Sequence, residues 1–310
     1  MTAHPSSAGG PADLDRLVRG IDPDRPVLIA GPTAAGKSAL ALRIAREIGG
    51  VVVNADALQV WSCWRVLTAR PSQADERAAP HRLYGHVAPG RSYSVGDWLA
   101  EVAALRGGQR VVIVGGTGLY LSALTRGLAV VPPVPADIRA EADTWMARPE
   151  GLARMVQALD PATRAGIDTR NPARVQRAWE VLTATGRGLA DWQADTPPPL
   201  IDPADAQRLV LMMDRDRLAD RIARRFDAML AEGALAEVET LRQAWEPRAQ
   251  WARAIGAADL LAHLEGRMSL DAARNRAVIA TRQYAKGQRI WFRNRMRDWT
   301  PVRIGDHAAP

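Results

Sequence analysis

The sequence predicts an α/β fold, a parallel sheet flanked by helices, with an inserted helical subdomain. Three observations carry that expectation. The apolar run Val27-Leu28-Ile29-Ala30 feeds directly into G-x-x-x-x-G-K-S, residues 31–38, and then into a helical pattern. Further apolar runs, one ending in Asn54-Ala55-Asp56 and one in Gly115-Gly116-Thr117, alternate with helical segments, which is the signature of a parallel sheet. Finally, Pro132-Pro133-Val134-Pro135 and Pro197-Pro198-Pro199 bracket about sixty residues of helical pattern, as the hinges of an insertion do.

Taken in order, residues 27–30 are apolar throughout, which suits a strand covered on both faces. The eight residues that follow are a phosphate-binding P-loop, so the sheet is expected to be P-loop NTPase-like. Gly31 and Gly36 let backbone N–H groups turn inward around phosphate oxygens, and Thr33, Ala34 and Ala35 complete the cradle. Lys37 supplies a point charge, and the Ser38 hydroxyl can ligate Mg2+. Of 41 basic residues only Lys37 and Lys286 are lysines, so a chain that writes its positive charge as arginine keeps lysine here. Residues 37–48 carry an apolar stripe and form the next helix, closed by Gly49-Gly50. Val51-Val52-Val53 is the second strand. Its end puts Asp56 at the carboxyl edge of the sheet, on the P-loop's rim, where it is a candidate for chemistry on whatever the P-loop holds or an N-cap for the turn at 57–60.

Residues 59–92 read as a long loop with short helical pieces, residues 94–105 as a helix, and residues 110–115 as a third strand. That strand ends without a carboxylate, which argues against an ATP-driven motor or switch. Helical patterns at 137–147, 151–159 and 172–185 fill the insertion, and residues 208–213 form a fourth core strand. On the helix expected at 215–232, Arg217, Arg221 and Arg224 or Arg225 share a face. They are either anion clamps or a solvated stripe balanced by Asp216, Asp220 and Asp227. Residues 282–303 set seven basic residues against one acid and interleave Tyr284, Trp291, Phe292 and Trp299. The mixture suits phosphate contact and base stacking, or an amphipathic closing helix.

The expected domains are a disordered leader at 1–22, a P-loop core from 23–132 and 199–303, the helical insertion at 133–198 and a tail at 304–310. A single cysteine, Cys63, excludes an internal disulfide and agrees with a reducing compartment. No apolar run approaches the roughly 20 residues that span a bilayer, and the first twenty residues lack a signal peptide's apolar centre, so no membrane contact and a cytoplasmic location are expected. The net charge of +7 points to a polyanionic partner.

Several motifs in this order resemble the tRNA dimethylallyltransferase (tRNA isopentenyl transferase) family across residues 26–300. They are the P-loop, Asn54-Ala55-Asp56-Ala57-Leu58-Gln59-Val60, Pro80-His81-Arg82-Leu83, Val114-Gly115-Gly116-Thr117-Gly118-Leu119-Tyr120, Asn171-Pro172-Ala173-Arg174-Val175 and Thr281-Arg282-Gln283-Tyr284-Ala285-Lys286. The resemblance implies transfer of a dimethylallyl group from dimethylallyl diphosphate to the exocyclic N6 of the adenosine 3′-adjacent to the tRNA anticodon, with release of diphosphate. It implies that residues 31–38 hold the diphosphate, with Thr33 and Lys37 acting in catalysis and Ser38 toward Mg2+. By the same resemblance Asp56 is the general base, and Arg221 the catalytic arginine. Asp56, Ala57, Leu58, Gln59, Thr117, Arg139, Arg174 and Arg177 fall where the family touches the anticodon stem-loop, and no obligate protein partner is implied. Trp61, Leu67, Arg70, Arg82, Ala257 and Gly287 depart from the family's usual residues. The rivals are a transferase acting on free AMP, ADP or ATP, a nucleotide or small-molecule kinase, and a non-catalytic RNA-binding protein. The insertion and the basic C-terminal segment favour tRNA.

Overall fold

A computed structural model describes residues 11–105 and 110–305. In chain order the elements are α1 (Pro11–Arg19), β1 (Val27–Ala30), α2 (Lys37–Ile48), β2 (Val51–Asn54), α3 (Gln73–Ala78), β3 (His81–Arg82), α4 (Val95–Leu105), β4 (Val111–Gly115) and α5 (Gly118–Arg126). Then come α6 (Ala136–Met146), α7 (Gly151–Ala158), α8 (Pro161–Gly166), α9 (Pro172–Thr185) and α10 (Leu189–Ala194). The chain returns with β5 (Gln207–Met212), α11 (Arg215–Ala231), α12 (Ala234–Leu241), α13 (Ala257–Leu264), α14 (Leu270–Arg295) and β6 (Thr300–Arg303). The strands form one sheet in the order β3-β2-β4-β1-β5-β6. Every neighbouring pair is parallel, with Val27 of β1 opposite Val112 and Gln207. β1, β2 and β4 are buried along their whole length, which is why they read as unbroken apolar runs. Trp98 of α4 is fully buried, stacks on Tyr120 at 4.7 Å and donates its indole N–H to the Asn54 carbonyl, tying helix to strand end.

The chain forms two compact units, one from the described residues up to Thr125 and from Ile201 onward, the other Arg126–Leu200. The second unit thus begins before and ends after the bracketed 133–198, because the prolines lie inside its margins. Its core is Ala142, Met155 and Val175, with Trp145, Leu152 and Trp179 packed against it. α9 starts where its sequence dictates: the Asn171 side chain caps the Arg174 N–H at 3.2 Å, Pro172 fills the first turn, and Gly186 closes the helix in left-handed conformation.

Four expectations fail locally. Residues 11–22 are not a disordered leader: Leu14, Leu17, Val18 and Ile21 recur at helical spacing, Val18 and Ile21 are buried, and Asp15 pairs with Arg43 of α2 at 2.5 Å. The leader's first ten residues lie outside the described residues. β3, inside the expected loop, is two residues long, too short to leave a periodic signal, yet it pairs with Val52 and Val53. The closing helix stops at Arg295 and the chain turns into edge strand β6, whose Thr300 to Arg303 pair with Leu209 to Met212. Ile304, assigned to the tail, is buried and donates its N–H to the Met212 carbonyl at 3.0 Å.

Candidate functional site

β1, β2, β4 and β5 deliver their loops to one carboxyl edge, as a parallel sheet must. The P-loop leaves β1 with positive φ at Ala34 (62°) and at Gly36 (91°), so successive peptide N–H groups converge toward the N-terminus of α2. The first N–H groups of α2 have no intrahelical partner, which makes this a cradle for an anion. The Lys37 ammonium curls back to the Pro32 carbonyl at 2.8 Å. Burial lowers its pKa to about 8, countered in part by the negative charge of Asp56 and reinforced by Arg225.

Two helices remote in sequence lock Thr33. Its N–H donates to Gln288 Oε1 of α14 at 2.9 Å, and its hydroxyl accepts from the Arg225 guanidinium of α11 at 3.2 Å. Gln288 is buried and spends its amide N–H on the Gly116 carbonyl at 2.9 Å, so one side chain bolts the P-loop to the turn after β4. A Cβ at Gly116 would stand 2.3 Å from Gln288 Nε2, so a side chain there would displace the amide. Arg221 donates from Nε to the Ala34 carbonyl at 3.0 Å. Of the alternatives on α11, Arg225 turns inward and Arg224 stays exposed. Burial lowers the pKa of both Arg221 and Arg225, against a partial compensation of Arg225 by Asp56.

Asp56 is held by its backbone. The side chain of Asn54, itself fully buried, accepts the Asp56 N–H at 2.8 Å and donates to the Asp56 and Leu83 carbonyls, each at 2.9 Å. Thr117 accepts the next N–H, that of Ala57, at 2.9 Å. One carboxylate oxygen, Oδ1, accepts the Leu58 N–H at 3.0 Å, so Asp56 does cap the turn that follows it. The other, Oδ2, accepts no hydrogen bond among the described residues. Burial first and the Asp56 charge second raise the Tyr84, Tyr120 and Tyr284 phenols well above the usual tyrosine range, so all three stay protonated donors.

Two recesses meet here. A cleft of about 1350 Å³ runs along Gly36, Lys37, Ser38, Arg217, Arg221 and Arg224, and a mostly apolar pocket of about 80 Å³ opens beside it. Thr33, Arg225 and Asp56 line the pocket together with Leu58, Leu67, Ile222, Phe226 and Met229. The structure therefore gathers Thr33, Lys37, Ser38, Asp56 and Arg221, which are distant in sequence, around one anion cradle and one apolar pocket. Leu58 lines the pocket, and Gln59 turns inward, its amide donating to the Thr68 and Ala69 carbonyls at 2.8 and 3.1 Å. Arg139, Arg174 and Arg177 belong to the Arg126–Leu200 unit, where all three are exposed and Arg177 lies 3.9 Å from Glu180. Sequence reasoning left out Gln288. Its signal was a polar residue in register with buried Ala285 and Phe292 on one face of a helix.

A family model described as IPP transferase matches residues 59–295. The chain is 67% identical to the tRNA dimethylallyltransferase of Paracoccus denitrificans over 291 residues, 92% of this chain and 96% of that one. It is 63% identical to the enzyme of the same name from Dinoroseobacter shibae over 285 residues, covering 91% and 96%. Among solved structures it resembles the full-length tRNA isopentenylpyrophosphate transferase of Bacillus halodurans at 30% identity and TM-score 0.64, covering 92% of each chain. It also resembles a eukaryotic dimethylallyltransferase acting on tRNA at 25% identity and TM-score 0.76, covering 91% of this chain and 74% of that one. Matched by the family model over most of its length and by relatives across nine-tenths of it, the chain belongs to the IPP transferase family, that of the tRNA dimethylallyltransferases.

Proposed function

We propose that the protein transfers a dimethylallyl group from dimethylallyl diphosphate to N6 of the adenosine 3′-adjacent to the tRNA anticodon, position 37, releasing diphosphate. The observation that carries the reading is the pocket lined at once by Thr33 and Arg225 of the anion cradle, by Asp56, and by apolar side chains. A donor with an anionic head and a five-carbon tail matches it part for part. The head lies on the P-loop N–H groups, with Lys37 and Arg221 facing it across the cleft.

An aromatic amine is a weak nucleophile, so the site has to hold it in line with the allylic carbon, take its proton and stabilise the leaving group. The N6 lone pair forms the new N–C bond at C1 while the C1–O bond breaks, its electron pair leaving on diphosphate. The N6 proton passes to Asp56 Oδ2, the oxygen not engaged by the Leu58 N–H. Lys37, Arg221 and Arg225 offset the charge that grows on the departing oxygens.

Ser38 lines the cleft at the start of α2, and no cluster of three His, Cys, Asp or Glu side chains occurs among the described residues. This donor set fits Mg2+, which takes few protein ligands and completes its shell with phosphate oxygens and water. Ser38 would hold the ion, which supplies further charge neutralisation of the diphosphate when bound.

No described helix is long and apolar enough to cross a membrane, and a tRNA substrate fits a cytoplasmic location. Incubating the protein with labelled dimethylallyl diphosphate plus tRNA, the same donor plus AMP, and ATP plus candidate acceptors tests the reading. Label is expected in tRNA at N6 of the adenosine; transfer to AMP alone, or phosphorylation of an acceptor, would overturn it.

A further inference from the structure

We infer that Met229 sets the length of the prenyl group that the site accepts, closing the pocket beyond one five-carbon unit. This rests on the proposed donor.

The reacting carbon must lie where Thr33, Arg225 and Asp56 converge, so the tail of the donor points away from them. Along α11 the pocket is walled by Ile222, Phe226 and Met229, which share one helix face. Arg225 is anchored on Thr33, and Met229 follows it by four residues, about 6 Å further along the axis at 1.5 Å per residue. That is the reach of one isoprene unit and about half the reach of two. The pocket itself is small, about 80 Å³.

Ile255, Thr281 and Tyr284 also line the pocket, and four of the other lining residues, Leu67, Thr68, Ile222 and Phe226, are held in place. Leu67 and Thr68 lie on a short turn clamped at both ends. The Glu237 carboxylate of α12 accepts the N–H groups of Arg65, Val66 (3.0 Å) and Leu67 (2.8 Å), while Gln59 holds the carbonyls of Thr68 and Ala69. Ile222 and Phe226 are 3% and 4% exposed, and the Phe226 ring packs on Gly256, where a Cβ would stand 2.9 Å from it. Met229 is half-buried, unbranched and two residues from the end of α11. Among the pocket residues on α11 it is the apolar wall that can be shortened or lengthened without moving the backbone.

The test measures kcat/KM for dimethylallyl diphosphate and for geranyl diphosphate, with the same tRNA, in the unsubstituted protein, Met229→Ala and Met229→Phe. Mass analysis of the modified nucleoside identifies the group transferred, and tRNA affinity reports the fold. Met229→Ala is expected to raise the ten-carbon to five-carbon ratio about 100-fold, near the upper range for shape discrimination in an apolar pocket. Met229→Phe is expected to lower five-carbon kcat/KM at least about 10-fold, chiefly through KM, with tRNA affinity retained. A tRNA-binding Met229→Ala with an unchanged ratio, or a tRNA-binding Met229→Phe with unchanged five-carbon kinetics, would overturn the inference. Should the unsubstituted protein transfer no five-carbon group, the functional reading itself fails.

Discussion

The two units of the chain carry charge differently. Arg126–Leu200 holds nine basic and nine acidic residues and is neutral. Residues 270–303, which are α14 with β6, hold nine basic residues and two acids, an excess equal to the net charge of +7 of the whole chain. Within that segment Arg274 and Arg276 are neutralised by Asp227 and Asp259, while Lys286 and Arg293 sit exposed near Ile279 and Ile290 on the helix. Under the proposed function, long-range attraction of a polyanion falls to α14. The inner face of that same helix holds Gln288, the bolt on the P-loop. One helix thus presents charge outward and braces the P-loop inward.

The strongest way to break this division is Lys37→Ala. Its charge faces the cleft and not the α14 surface, so transfer should fall by at least about 10²-fold, the scale for losing one preorganised charge stabiliser. tRNA binding, followed by filter retention, should stay within two-fold. A parallel loss of RNA affinity in a folded protein would merge the two functions that the comparison separates.

Gln288→Ala probes the bolt itself. It leaves the Thr33 N–H and the Gly116 carbonyl without their partner. An unpaired buried group costs about 1–3 kcal/mol. A 10- to 100-fold fall in kcat/KM is therefore expected, carried mainly by donor binding, with little change in the salt dependence of tRNA affinity. Unchanged kcat/KM in a folded Gln288→Ala would show that the bolt does not hold the cradle in shape.

How much of this could be read in the sequence followed distance along the chain. The P-loop, Asp56 at a strand end and the arginine-bearing helix each have a local pattern, and each lies where that pattern puts it. Gln288 reaches Thr33 across 255 residues, and Glu237 reaches Val66 across 171, so neither contact leaves a local trace. The choice between Arg224 and Arg225 was likewise open, since neighbouring residues on a helix straddle the edge of a face and only packing decides. β6 was hidden because its run contains Pro301, which an edge strand tolerates and a central strand does not. The expected leader was hidden by composition: an Ala, Gly, Pro and Ser background masked the four apolar residues that dock α1.

Smaller effects sharpen the comparison. Replacing both Lys286 and Arg293 by Ala should flatten the log-log salt slope of tRNA affinity by about 1.4, at roughly 0.7 per phosphate contact on single strands. Arg177→Ala should barely change it, because Glu180 already opposes that charge. An equal effect from Arg177 would return the electrostatic grip to the insertion. The mildest expectation concerns pH. Lys37 is charged below its lowered pKa of about 8 and neutral above it, so a diphosphate meets a weaker site as pH rises. kcat/KM for the donor reports the free protein and should decline above about pH 8. The kcat limb should lie higher, because a bound anion restores the proton.

The most direct measurement is single-turnover transfer to tRNA by Asp56→Asn at saturating dimethylallyl diphosphate. Asn keeps the shape and can still accept the Leu58 N–H, so the turn, the pocket and donor binding should persist. What it loses is the base. The rate of N6 modification is expected to drop by about 10² to 10⁴. A rate within a few-fold of the unsubstituted protein would show that Asp56 is only a cap, and would contradict the account.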